Sequence, residues 1–269
     1  MMNGEDWRRL LTDVTGNVQS KVSKVIERGE VSKAVGVGAS GDTTLVADKE
    51  AENELLGVLT RIKELRIVSE EAGNRGDIRA PFVAIVDPLD GSSNFEKRIP
   101  FYCTSVAVAK GDSLTGISWA LIRNLTNGDV YWAEKGKGSS KNGSPLRASK
   151  VNALADSVVG VDLSRGLPEV AAKVNPLIAS VKRQVHFGAN ALELCFLAEG
   201  KIDAFVDLRM KMRVTDFAAA YLIASEAGAV VTDEEGSPLD ARLDLEARFP
   251  VVGAGNGALH RRILRVISS

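Results

Sequence analysis

Thiols and imidazoles are scarce: the 269 residues include only Cys103, Cys195, His186 and His260 of these types. With no CxxC pair and no His-rich spacing, neither a disulfide-stapled scaffold nor a sulfur- and nitrogen-ligated zinc site can organise the chain. The cysteines lie in apolar runs, Phe101 to Ala109 and Ala191 to Ala198, and read as buried thiols in a reducing compartment. The histidines are far apart and read as non-catalytic, with His186 at most lining a pocket. Aromatic residues make up 5% of the chain, which disfavours a slot for stacking a base. Neither sign of charge is in excess, 34 Lys plus Arg against 35 Asp plus Glu, so there is no general attraction to nucleic acid or to an anionic membrane. No apolar stretch approaches the ~20 residues that span a bilayer. The start MMNGEDWRRL has early acidic residues and no targeting pattern, and a cytoplasmic protein is the expectation.

What is present is enough length for a sizeable core, and a pattern that changes midway. Trp7, Leu11, Val14, Val18, Val22 and Val25 share one face of an amphipathic helix that Gly29 ends. Ala51, Leu55, Val58, Ile62 and Leu65 share a face of a second helix, and the glycine-rich stretch Gly36 to Thr44 before it reads as irregular. Arg66 to Ser69 and Phe82 to Val86 have the character of buried strands. From Thr104 to Glu134, strand-like runs separated by Lys110-Gly111-Asp112 and Asn127-Gly128 form an antiparallel meander. Beyond the turn at Asn142-Gly143, strands at Val158 to Val161, Ile202 to Val206, Ala229 to Thr232 and Val251 to Gly253 alternate with helices. Those helices are Pro168 to Val181, Ala189 to Glu199, Asp216 to Ala227 and Asn256 to Ile267. The reading is an α/β protein with an α+β first half: residues 1–150 carry an antiparallel sheet and 151–269 an α/β unit, with no repeat or linker between them.

The most informative segment is Asp87-Pro88-Leu89-Asp90-Gly91-Ser92-Ser93-Asn94-Phe95, directly after the apolar run that ends at Val86. Asp87 leaves the strand end, Pro88 fixes a tight bend, and Asp90 returns close to Asp87. Two carboxylates held this near each other call for a cation, and an oxygen-only cluster suits Mg²⁺ rather than zinc, with the Leu89 carbonyl as a further oxygen. Gly91, Ser92 and Ser93 then offer N–H groups and hydroxyls to a phosphate. The plainer alternative is an ordinary surface turn built from Asp-Pro and Asp-Gly.

This nine-residue string resembles the DPxDGSxNF hallmark of the inositol monophosphatase superfamily. Two further segments match that pattern: Glu70-Glu71 after Arg66-Ile67-Val68-Ser69, seventeen residues before Asp87, and Thr215-Asp216-Phe217-Ala218-Ala219 at the start of a late helix. The resemblance implies a layered αβαβα sugar-phosphatase fold, and a magnesium-dependent phosphatase with two or three ions that manganese can replace. It implies one ion on Glu70, Asp87 and the Leu89 carbonyl, a second on Asp87, Asp90 and Asp216, and a weaker third on Glu70 with waters. Asp90, Gly91 and Ser92 would hold the phosphate, while Glu70 and Ser92 orient and deprotonate the attacking water. Asp42 and Asp48, six apart, match acidic residues of a closing loop and would help order the third ion or the water. A helix cap remains an alternative reading for Asp48 and for Asp216.

For the substrate, the resemblance places Arg183, Gly188, Asp207 and Arg209 around the polyol or sugar, with Arg183 or Arg209 as a cation for a second phosphate. The Asp207 to Asp216 segment lacks the tryptophan common before the last aspartate. It is similar to the archaeal-type branch acting on fructose 1,6-bisphosphate and inositol monophosphate, and that branch implies a small-molecule phosphate ester as partner and a homodimer. The alternatives are a 3′-phosphonucleotide or NADP phosphatase of the same superfamily, and a non-catalytic regulatory protein of the same fold.

Overall fold

The computed structural model describes residues 2–240 and 242–268. Helix α1 (Gly4–Glu27) begins at Asn3, whose Oδ1 accepts from the amides of Glu5 and Asp6 while Asp6 accepts from the Asn3 amide. It stops before Gly29, which takes the left-handed region at φ +72°. A hairpin of β1 (Ala34–Val37) and β2 (Thr43–Leu45) leads into α2 (Val46–Leu59). Then come β3 (Leu65–Ser69), β4 (Gly73–Arg75), β5 (Phe82–Asp90), the short α3 (Ser92–Glu96), β6 (Cys103–Lys110), β7 (Ile117–Asn124), β8 (Val130–Glu134), β9 (Gly138–Lys141) and β10 (Ser144–Pro145). The remainder is β11 (Val158–Val161), α4 (Pro168–Ser180), β12 (Arg183–Val185), α5 (Asn190–Ala198), β13 (Ala204–Met212), α6 (Val214–Glu226), β14 (Val230–Thr232), β15 (Phe249–Ala254) and α7 (Gly257–Ile267).

Strands β3 to β10 form one eight-stranded sheet, ordered β10-β9-β8-β7-β6-β5-β3-β4, in which only β3 and β5 run parallel. The second sheet, β12-β11-β13-β15-β14, is parallel from β12 to β13 and antiparallel beyond. The period-2 alternation of β5 explains the layering. Phe82, Ala84 and Val86 join one apolar cluster with α1 and α2, while Val83 and Ile85 join another with α5 and α6. That second cluster continues to Phe205 of β13 and Val251 of β15, whose alternate residues Ala204, Val206 and Val252 meet α4 and α7. The order across the molecule is therefore helices, sheet, helices, sheet, helices. Trp7 stacks on Trp119, ring centroids 5.8 Å apart, and seats α1 on the first sheet.

Four elements differ from the reading of the sequence. Gly36 to Thr44 is not irregular but pairs as a hairpin, Val37 opposite Thr43. The second helix starts earlier and stops at Leu59, so Leu65 opens β3. β5 does not end at Val86 but continues to Asp90 through a bulge, because the residues missing from the ladder are placed where Pro88 has no N–H to give. β13 runs to Met212 rather than Val206, with the register shifting after Asp207 and Met210 at φ +55°.

Candidate active site

The parallel pairing of β3 with β5, Ser69 opposite Val86, sets the next residues of each, Glu70 and Asp87, side by side at the strands' carboxyl ends. The Glu70 amide donates to the Val86 carbonyl at 3.2 Å. Across the bulge the β6 partners step from Ser105 to Cys103 while β5 steps from Asp87 to Asp90, so Pro88 and Leu89 oppose Thr104 alone. Thr104 Oγ1 donates to the Pro88 carbonyl at 2.8 Å, and the Leu89 amide to Asp87 Oδ1 at 3.0 Å. Asp216 is the third residue of α6; its Oδ2 accepts from the Arg213 amide at 2.8 Å, a capping role its position three residues on allows. Carboxylate oxygens of Glu70, Asp87 and Asp216 thus lie within 4.8 Å of one another. Asp90 is oriented by the Ala191 amide in the first turn of α5, 2.8 Å from its Oδ2.

Burial pushes the carboxyls of Glu70, Asp87 and Asp216 above the usual carboxylate range and that of Asp90 to about 8. Mutual repulsion adds to this, from Asp216 on Glu70 and Asp90, and from Glu70 on Asp87. Among the described residues, Arg213 is the one basic side chain paired directly with the cluster, its Nη1 2.8 Å from Glu70 Oε1. Four converging carboxyls with one guanidinium are short of positive charge, and their donors are all hard oxygens. The neighbouring Cys103 thiol, 3.8 Å from Asp90 Oδ2, is pushed up by burial and stays protonated. The residues fit a divalent ion of the magnesium or manganese type and not a thiolate-bound one.

Asp48, the third residue of α2, caps the helix by accepting from the Leu45 amide at 2.7 Å through Oδ2. Its other oxygen lies 3.0 Å from Ser92 Oγ, which is also 2.9 Å from the Leu89 carbonyl. Burial raises Asp48 to about 7. A hydroxyl has one proton, so Ser92 donates to an ionised Asp48, and to Leu89 when Asp48 is protonated. Asp42 does not join this pair. It lies on the hairpin loop and meets Arg213 Nη2 at 2.7 Å, while the Ala39 and Ser40 amides bond the carbonyls of Glu71 and Glu70.

Gly91 caps the short α3 at φ +88°, and a Cβ there would stand 2.9 Å from the Phe101 carbonyl and 3.0 Å from Ala189 Cβ. Gly91→Ala is expected to lower the melting temperature, since the left-handed backbone alone costs about 1–2 kcal/mol and each kcal/mol moves a chain of this size by about 2–4 °C. Thermal unfolding of the purified variant measures this. An unchanged melting temperature would contradict the crowding described.

The substrate-side residues are brought together only in part. Gly188, at φ +82°, donates its amide to Glu193 Oε1 at 3.0 Å and packs against Asn94, beside the bulge. Arg183 begins β12 opposite Val158, about 10 Å along the chain from His186. Asp207 is fully buried, with both oxygens engaged by Arg209. Arg209 also pairs with Asp162 and donates to the Ser164 carbonyl, so its charge is offset and one N–H remains unclaimed among the described residues. Glu193, Asp162 and Arg213 escaped the sequence reading, in which His186 was at most a pocket-lining residue. Their ion pairs join residues 7 to 171 positions apart, a separation that leaves no local pattern.

The sequence model of the inositol monophosphatase family matches residues 7–269. The chain belongs to this family. A fructose-1,6-bisphosphatase/inositol-1-monophosphatase of Methanothermobacter thermautotrophicus is 34% identical over 97% of this chain and 96% of that protein. One of the same description from Archaeoglobus fulgidus is 33% identical over 99% of this chain and 100% of that one. A solved inositol monophosphatase–fructose 1,6-bisphosphatase superposes with TM-score 0.87 at 30% identity, covering 97% of this chain and 99% of the other. Two bifunctional NADP phosphatase/NAD kinases, from Methanococcus maripaludis and Methanocaldococcus jannaschii, are 28% and 30% identical, and the chain spans about half their length. As a family member the protein is a phosphoric monoester hydrolase. The inositol monophosphatase family is metal-dependent, and the Glu70–Asp87–Asp216 cluster is the candidate place for the ion.

Proposed function

We propose that the protein releases phosphate from fructose 1,6-bisphosphate and inositol 1-phosphate, with Mg²⁺ as its ion and Mn²⁺ as a substitute. The observation that carries the reading is the convergence of Glu70, Asp87 and Asp216 from three separated segments. With Asp90 and the Leu89 carbonyl they would hold two ions. When bound, such ions lower the pKa of a water and offset the charge of the phosphate and of the departing alkoxide. The chain's own groups do the rest. The Gly91 and Ser92 amides receive the phosphate oxygens, the Ser92 hydroxyl accepts the water's proton as it passes its own to Asp48, and Glu70 helps to orient the water. Arg209, anchored by Asp207 and Asp162, and the Gly188 loop bound the polyol. Both substrates come from the named relatives, whose identity extends over nearly the whole chain.

A second reading, an NADP phosphatase, is favoured by the two relatives of which the chain spans about half and by the half-exposed Phe187, which packs on Phe101 at 5.1 Å two residues before Ala189. The test is a phosphate-release panel of fructose 1,6-bisphosphate, inositol 1-phosphate and NADP, with and without Mg²⁺. The first two are expected to be turned over and to fall to background in chelator. Turnover of NADP alone would replace the proposal with the second reading, and activity indifferent to chelation would overturn both.

A further inference from the structure

His186 stands between the two groups that bound the polyol under the proposed function. Its Nδ1 lies 3.0 Å from Glu193 Oε1, and its Nε2 3.4 Å from Asp162 Oδ1 and from Ser164 Oγ. Each of these carboxylates holds one of the two groups. Glu193 Oε1 accepts from the amides of Phe187 and Gly188 at 2.8 and 3.0 Å, which fixes the turn ahead of α5, and Asp162 Oδ2 pairs with Arg209. A neutral imidazole carries one N–H, so between two ionised carboxylates it would point a ring lone pair at one of them; the doubly protonated ring suits both. We propose that His186, as the imidazolium, is a positioning residue that ties the Phe187–Gly188 turn to Asp162 and Arg209, so that its loss of a proton weakens binding of a sugar bisphosphate more than that of a monophosphate.

Burial makes this cation matter. The Glu193 side chain is 0% exposed and that of Asp162 6%, so both carboxylates lack water to offset their charge. Glu193 Oε2 has no hydrogen-bond partner among the described residues, which leaves the carboxylate dependent on what meets Oε1. The charged groups facing the ring come from three elements: Glu193 of α5, Asp162 just after β11 and Arg209 of β13. Contact with Glu193 raises the His186 pKa most and Asp162 adds to it, against burial and Arg209. The ring therefore keeps its charge above the ordinary histidine value and loses it as pH rises further. Asp162 then has Arg209 as its remaining cation among the described residues, and the guanidinium is drawn more fully onto it and away from a second phosphate. The groups that His186 meets are none of Glu70, Asp87, Asp90 and Asp216, so the effect falls on KM rather than on kcat.

The inference rests on the proposed function, and the experiment separates the two. KM for fructose 1,6-bisphosphate and for inositol 1-phosphate is measured from pH 6 to pH 9 in saturating Mg²⁺, for the wild type, His186→Gln and His186→Arg. The ratio of the first KM to the second is expected to rise about fivefold with pH in the wild type. It is high at every pH in His186→Gln, and low throughout in His186→Arg, whose fork reaches both carboxylates without titrating. Ionisation of the substrate phosphates is common to the three proteins and cancels between them. A second readout needs no turnover: the chain has two histidines, so ring nitrogen resonances of the wild type are assigned by their loss in His186→Gln. The His186 ring is expected to titrate above the ordinary histidine value and the buried His260 ring below it. A wild-type KM ratio that is flat with pH, a His186→Gln protein with the wild-type ratio, or a His186 ring that titrates at or below the ordinary value overturns the inference and leaves the proposed function standing. Failure of the wild type on either substrate removes the proposed function and the inference with it.

Discussion

Asp87→Asn is expected to cut turnover by on the order of 10³-fold or more while making the metal-free protein more stable. The carboxylate is buried, is repelled by Glu70 and Asp90, and under the proposed function is shared between two ions. An amide keeps the shape and the bond from the Leu89 amide, yet it supplies no charge. Removing one preorganised charge-stabilising group costs about 10²–10³-fold in other hydrolases, and a direct ligand to two ions should exceed that. In the absence of metal the sign reverses, because a like charge has been taken from a crowded cluster. A melting temperature raised by about 2–4 °C per kcal/mol relieved, measured in chelator beside the kinetics, distinguishes this from a variant that merely folds badly. A lowered melting temperature together with lost activity would point to misfolding and remove the electrostatic account.

The second large effect concerns pH. Asp48 and Asp90 ionise near 4 in the unfolded chain, and burial raises them to about 7 and about 8 in the folded one. A raised folded-state pKa means that protons bind more tightly to the native protein. The associated stability is fully present below pH 4 and is lost as pH climbs through 7 and 8. Glu70, Asp87 and Asp216 shift in the same direction. The metal-free protein is therefore expected to melt higher at pH 5.5 than at pH 8.5, by roughly 5–10 °C for a few kcal/mol, and millimolar Mg²⁺ should remove most of the difference. His186, raised mainly by its bond to Glu193, adds the same sign and His260, lowered by burial, the opposite. Neither belongs to the acidic cluster, so reversal by metal isolates the carboxylates. Scanning calorimetry at the two pH values, with chelator and with Mg²⁺, decides it; a metal-free melting temperature that is flat or rising over this range would be incompatible with the burial described.

How far the sequence alone reached depended on how local each feature is. Asp87 to Phe95 is one short string after one apolar run, and its chemistry could be read from adjacent residues. The layering came from the resemblance, and the continuous apolar run Phe82 to Val86 adds only that both faces of that strand are covered. The hairpin at Ala34–Leu45 was hidden by its glycines, and the true length of β13 by a bulge that breaks period-2 reading after Asp207. The contacts of Arg209 and Arg213 depend in large part on residues contributed by other strands and loops. A free cation and one already held by two buried carboxylates look the same in a sequence.

The two middle helices α5 and α6 fill the space between both sheets, and this makes the halves of the chain interdependent. A fragment cut near residue 150 would turn Val83, Ile85, Ala107 and Ala120 out to solvent and would carry Glu70 and Asp87 without Asp216. The helical filling that keeps the first sheet dry also delivers the last carboxylate, so this catalytic centre is assembled only in a chain that has finished folding.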